Sequence, residues 1–118
     1  MNYPTIYEGA LAFETHAENL VERNVCNRKD ARSEKTRAHL ETIQALVPPG
    51  RYRHFKGGEY QVLGVREDVN TGLCYVEYSA HYGFYKDVPS LRILVGEDSF
   101  LRPIDRPEYR GVRFVLLD

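Results

Sequence analysis

The chain has no tryptophan, one methionine and two cysteines in 118 residues, and no apolar run of bilayer-spanning length. Each scarcity removes a class of function. A membrane-crossing helix needs about 20 consecutive apolar residues, so no membrane association is expected. Cys26 and Cys74 stand far apart, without a C-x-x-C pair or ligand-like spacing, so both are read as reduced thiols. Charge of one sign is lacking too: 16 Lys and Arg against 17 Asp and Glu give a formal net charge of -1. That balance excludes a general phosphate-backbone binder, which needs a strongly basic surface, but leaves room for a local basic patch. The N-terminal stretch has no basic segment before an apolar one, since Glu8 and Glu14 interrupt it, so a signal peptide is not expected and a soluble cytoplasmic protein is. P-loop, dinucleotide, G-x-S-x-G and H-E-x-x-H patterns are missing as well.

Between Gly9 and Gly50 there is no glycine, and between Pro4 and Pro48 no proline. This gap marks a helical first part, residues 1–47, whose apolar residues recur at helical intervals. The pattern predicts one helix over about residues 7–24, with Leu11, Ala17, Leu20 and Val21 inward. After the polar break Asn27-Arg28-Lys29-Asp30, a second is predicted over about residues 31–47, with Leu40, Ile43 and Val47 on one stripe. Pro48-Pro49 ends it, because proline has no N–H to donate and restricts the residue before it.

From residue 48 onward the period changes to two. Gly57-Gly58, flanked by aromatic and β-branched residues, reads as a two-residue hairpin loop needing positive φ at both positions. That loop would set Lys56 opposite Glu59, Phe55 opposite Tyr60, Arg53 opposite Val62 and Tyr52 opposite Leu63. One face would then carry Tyr52, His54, Gln61 and Leu63, the other Arg53, Phe55, Tyr60 and Val62. Neither face is apolar throughout, which points to a strongly curved sheet closing toward a small barrel. Cys74, Val76, Tyr78 and Ala80 alternate with polar residues as the clearest strand. Residues 92–95 and 112–116 suit further strands, with 100–104 as an edge strand on account of Pro103. The expected fold class is therefore α+β: a helical segment, residues 1–47, packed on a small antiparallel β-barrel, residues 48–118, as one compact unit.

Gly50, Tyr52, His54, Phe55, Lys56, Gly57, Tyr60, Val62, Leu63 and Gly64 form the pattern G-x-Y-x-H-F-K-G-x-x-Y-x-V-L-G. This resembles the start of a bacterial family, domain of unknown function 1653, and the likeness extends over residues 50–116 through Tyr78, Tyr82, Gly83, Phe100, Val112, Arg113 and Phe114. Where that family usually has a tryptophan followed by Val-Arg-Pro, this chain reads Ile93-Leu94-Val95-Gly96-Glu97. The resemblance implies an SH3-like β-barrel and no established activity.

Candidate chemistry is sparse. His54 and His81 match no zinc spacing, and Cys74 falls on the apolar side of its strand, where a thiol is inert, so no metal site, catalytic residue or cofactor is assigned. The constellation that stands out is basic and aromatic: residues 51–56 (Arg-Tyr-Arg-His-Phe-Lys), with His81, Tyr82 and Tyr85 elsewhere. From it Arg53, His54, Lys56 and Tyr82 are taken as ligand-binding candidates for an anionic, ring-containing ligand such as a nucleotide or single-stranded nucleic acid. Against this stands the plain account that aromatics pack the barrel and arginine stems cover its rim. A protein-interaction adaptor or self-association through the helices, betrayed by an exposed stripe of Leu11, Phe13 or Leu40, is the alternative; a small enzyme of unknown reaction is another. Arg53 and His54 are strand neighbours, so they would meet one ligand only at a rim or across a bulge.

Overall fold

The computed structural model describes residues 3–27, 34–83 and 86–117. Two helices, α1 (Tyr7–Asn27) and α2 (Glu34–Gln44), precede seven short strands. α1 buries Ala10, Phe13, Glu14, Ala17, Val21 and Asn24, a stripe at intervals of three and four. Ala17 and Val21 are the expected inward residues; Leu11 lies off that stripe and is 43% exposed. The helix runs to Asn27, into the predicted polar break, and the rest of that break lies outside the described residues. Ile43 carries the buried face of α2, and Leu46 and Val47 continue it beyond the helix end. The helix therefore stops short of the two prolines, with the Leu46 N–H bonding the Ile43 carbonyl at 3.0 Å in a tighter turn.

β1 (Gly50–His54), β2 (Glu59–Glu67), β3 (Cys74–Ala80), β4 (Ser90–Ile93) and β7 (Phe114–Leu116) form one sheet in the order β4-β3-β2-β1-β7, each pairing antiparallel. β5 (Ile104–Arg106) and β6 (Tyr109–Gly111) make a separate hairpin. The predicted edge strand at 100–104 is replaced: Phe100 and Leu101 are core residues in a turn, and strand begins only at Ile104.

The first hairpin corrects the sequence reading. The Gly57 N–H bonds the His54 carbonyl at 2.7 Å and the His54 N–H bonds the Gly58 carbonyl at 2.7 Å, so the loop holds three residues, Phe55, Lys56 and Gly57. Only Gly57 of the pair needs the left-handed region, at φ 105°. This is a turn followed by a glycine bulge, the common three-residue hairpin. Tyr52 therefore faces Tyr60, Arg53 faces Glu59, and Gly50 faces Val62. The slip is an odd number of residues, and an odd slip exchanges faces. Tyr52, His54, Tyr60 and Val62 share the inner face, while Arg51, Arg53 and Gln61 share the outer one.

With that register one face of the sheet is apolar and one is polar, which removes the reason for expecting closure. The sheet stays open, with β4 and β7 at its edges, and does not close into the expected barrel. An open antiparallel sheet with one covered face is the ordinary solution for such a pattern. α2 lies against β2, and the Gln44 side chain donates to the Val65 carbonyl at 3.1 Å. At the far end of α1, the Asn24 amide nitrogen donates to the Gly72 carbonyl at 2.8 Å and to Glu67 at 2.6 Å. Gly72 has to be glycine: its φ is +81°, and a Cβ there would lie 2.7 Å from the Val25 Cα.

Beneath the helices lie Phe13, Ala17, Val21, Ile43, Tyr52, Val62, Val65, Val76 and Phe114 in one cluster. Tyr52 is fully buried with its hydroxyl donating to the Pro48 carbonyl at 2.7 Å, which satisfies the polar end of an otherwise apolar ring. Phe100 and Phe114 stack at 4.2 Å. Among the described residues no helix is long and apolar enough to cross a membrane.

Candidate functional site

The aromatic layer does not stop where the helices stop. Toward the β1–β2 turn the inner face runs on from buried Phe114 to half-buried Tyr60 and Tyr78, which meet each other edge-on at 5.3 Å and contact Phe114 at 5.9 and 6.5 Å. His54, at the end of β1, packs on the same ring at 5.0 Å and against Phe55 at 4.6 Å. Alternation dictates this: Cys74, Val76 and Tyr78 share the inner face of β3, and the residues nearest the helices are the buried ones.

Beside this layer is an open groove of about 570 Å³ lined by Lys56, Gly57, Gly58, Glu59, His81 and Tyr82. Tyr82 is 52% exposed, and its phenol lies directly on Gly58, where any side chain would collide with the hydroxyl. Its ring approaches Tyr60 at 6.3 Å. Burial, aided by a hydrogen bond to the Tyr82 hydroxyl, pushes the Tyr60 hydroxyl up to about 12. Gly58 is thus small for the sake of a close approach rather than for backbone freedom.

The four predicted ligand residues separate accordingly. Lys56 and Tyr82 line the groove together. His54 is next to it on the inner face, with its Nδ1 accepting from the Lys56 N–H at 3.3 Å, so that Nε2 carries the proton of the neutral ring. Arg53 is on the outer face, 3.6 Å from Glu59, and is not brought to the others. Tyr85, also part of the expected cluster, lies outside the described residues.

Sequence reasoning missed the arginines. Arg92, on β4 opposite Val76, holds its guanidinium 5.6 Å from the Phe114 ring. Arg106 lies over Phe55 at 5.2 Å, and the Arg113 carbonyl accepts the Phe55 N–H at 2.9 Å. His54 feels all of them. Burial first, then Arg92, Arg113, Lys56 and Arg106, lower its pKa from 6.5 to about 4, so the ring is neutral at physiological pH. The Arg113 guanidinium is depressed by burial and by Arg92, with Asp98 opposing. Arg102, by contrast, is matched by buried Glu14 at 3.1 Å. Residues of β1, β2, β3, β4, β5 and β7 and of the loops between them contribute to this region, and in the sequence Arg113 stood out only as part of the Val112-Arg113-Phe114 likeness, which assigned it no role.

Half-exposed aromatic faces, a neutral imidazole and several cations at one end of a sheet can stack a ring and hold an anion. Cys74 is not part of it: it is buried, and burial with Glu67 nearby pushes its thiol up to about 12.

No curated protein matches the chain. Among solved structures, a protein from Bordetella bronchiseptica described as belonging to DUF1653 is similar at 27% identity and a TM-score of 0.53, over 63% of this chain and 91% of that one. A family profile, described as protein of unknown function (DUF1653), matches residues 50–114, which takes in the sheet up to the start of β7, the groove and the arginines and leaves out both helices. On that match, which covers more than half of its length, the chain belongs to the DUF1653 family.

Proposed function

We propose that this chain is a binding module for an anionic, ring-containing ligand, a nucleotide or a short single-stranded nucleic acid. The observation that carries the reading is the exposed Tyr82 ring, close to half-buried Tyr60, which meets Tyr78, and lining an open groove together with Lys56, while Arg92 lies over the adjoining Phe114 ring. Base-on-aromatic stacking contributes about 1–3 kcal/mol per base, and adjacent cations add phosphate contacts. A net charge of -1 is compatible with this because the cations are local.

Arg53 is reassigned in this reading. It is an outer-face residue whose guanidinium is engaged by Glu59, so it serves as the internal control. The adaptor alternative is weakened, since Phe13 is buried and Leu40 half-buried, leaving only Leu11 exposed from the stripe it requires. Titration of nucleotides and short single-stranded oligonucleotides is the test. Binding tighter than about millimolar is expected, weakened at least about fivefold by Tyr82→Ala and by Lys56→Ala and unchanged by Arg53→Ala. Absence of binding across that panel, or equal binding by all three variants, overturns it.

A further inference from the structure

Arg113 is an uncommon residue for an exposed sheet end. Its side chain is only 10% exposed, yet its nearest carboxylate, Asp98, lies 3.8 Å away and is itself 86% exposed. Nε donates to the Arg102 carbonyl at 3.3 Å. Arg92 reaches the same place from β4, with Nη1 donating to the Asp98 carbonyl oxygen at 3.2 Å. Two guanidiniums therefore converge on one residue, one on its carboxylate and the other on its backbone. Asp98 holds that position with φ at 54°, the left-handed region that a non-glycine residue adopts at a cost. Burying a guanidinium beside others is unfavourable unless an anion compensates them, and a long contact to a solvated carboxylate compensates little.

We propose that Arg92 and Arg113, with Lys56 completing the positive set around His54, form a subsite for the terminal phosphate monoester of a nucleotide, and that Asp98 stands in for that phosphate in the free protein. The proposal deepens the nucleotide reading and rests on it for the identity of the ring-bearing part. Charge selects the monoester. With Arg106 set against Glu108 at 4.0 Å, Arg92, Arg113 and Lys56 against Asp98 leave two unmatched positive charges (three minus one), and a phosphate monoester carries a charge of about -1.5 to -2 at neutral pH, whereas a backbone diester carries one. The planar guanidinium fork suits phosphate oxygens, and convergence on a point differs from the extended track that a polymer backbone needs. Arg102 is left out because Glu14 already neutralises it. His54 is faced by cations from the turn, from β4, from β5 and from the segment before β7, so an incoming dianion offsets the part of its lowered pKa that adds to burial.

The experiment compares inorganic phosphate, adenosine 5′-monophosphate and matched oligonucleotides with and without a 5′-phosphate, by calorimetry and by NMR of the His54 ring, on the full chain. The expected preference for the phosphorylated end is about tenfold or more, and Arg92→Ala removes it. Asp98→Asn, which keeps a side chain tolerant of left-handed φ, should tighten phosphate binding about two- to fivefold. Arg113→Lys keeps the buried charge but loses the fork, so a weaker preference in a protein with native NMR dispersion separates binding from folding. Saturation should move the His54 titration upward. Equal binding of phosphorylated and unphosphorylated ends, or weaker phosphate binding by Asp98→Asn, overturns the subsite. If nucleotides bind through Tyr82 without end preference, the subsite falls and the module reading stands; if inorganic phosphate binds as well as any nucleotide and responds to Asp98→Asn, the subsite stands and the nucleotide reading falls.

Discussion

His54 should make the folded protein sensitive to mild acid, with a size and sign fixed by its surroundings. The ring packs between Phe55 and Phe114, and its pKa falls from 6.5 to about 4 through burial and then through Arg92, Arg113, Lys56 and Arg106. Between those two values the unfolded chain holds a proton that the native chain does not. Stability therefore rises with pH in this window: the contribution is complete above pH 6.5 and is lost as pH falls toward 4. The whole shift corresponds to at most about 3–4 kcal/mol, and because the ring is only partly buried, solvent screening reduces the expected effect to about 1–2 kcal/mol. Glu14 opposes it. Its carboxyl is raised from 4.5 by burial, with Arg102 pulling the other way, so the stability it contributes is lost as pH rises above 4.5 through its raised pKa. Comparing wild type with His54→Gln removes the Glu14 term, since it is common to both. Urea denaturation at several pH values should give a difference between the two proteins that grows from pH 4 to pH 6.5 and then levels off. A difference that is flat across that window would refute the account of His54 as a histidine held neutral by burial and cations.

The two glycines of the first hairpin should respond differently. Gly57→Ala meets nothing within 4 Å but is held at φ +105°, so it should cost roughly 1–2 kcal/mol in thermal or chemical unfolding through backbone strain alone. Gly58→Ala meets the Tyr82 hydroxyl, a movable side-chain end, so it should change stability less and instead shift the Tyr82 ring resonances and weaken ligand binding. Unchanged stability for Gly57→Ala would show that the hairpin does not require left-handed φ at that position. The cysteines give a second contrast: Cys26 is exposed and should label at once with a thiol reagent, whereas Cys74, buried and with its thiol pushed up to about 12, should label only on unfolding. Rapid labelling of both in the native protein would mean that β3 does not sit in the core as described.

What the sequence could reveal was whatever depends on neighbours along the chain. Periodicity gave both helices because Ala17, Val21, Ile43 and Val47 sit on faces that one packed layer must bury, and the alternation from Cys74 to Ala80 gave β3 because one face of an antiparallel sheet is covered. It failed where a single residue decides between two answers. A third loop residue in the first hairpin changes the register, and with it the face on which His54, Tyr60 and Val62 lie; no count of apolar residues distinguishes the two loops, because both place glycine at the turn. Barrel closure was inferred from that register, so one error produced the other. The helix boundaries moved for a milder reason: the last residues before Pro48 are held by burial of Leu46 and Val47 rather than by helical hydrogen bonds.

The candidate site was legible only in its hairpin portion. Lys56 and His54 stand together in sequence and could be grouped by eye, and Tyr82 joined them on its aromatic character alone. Arg92 and Arg113 could not be found in that way, since each is a lone cation among apolar residues and reads as rim cover for a strand. Their significance appears only when Asp98 brings the two guanidiniums to one carboxylate and one carbonyl while Glu14 withdraws Arg102 from the group. Whether an arginine is structural or functional thus depends on the carboxylates that remain near it after folding. Arg53 shows the opposite case: it belongs to the most basic stretch of the chain, yet its cross-strand partner Glu59 occupies it on the outer face of the sheet, so its charge is held within the hairpin.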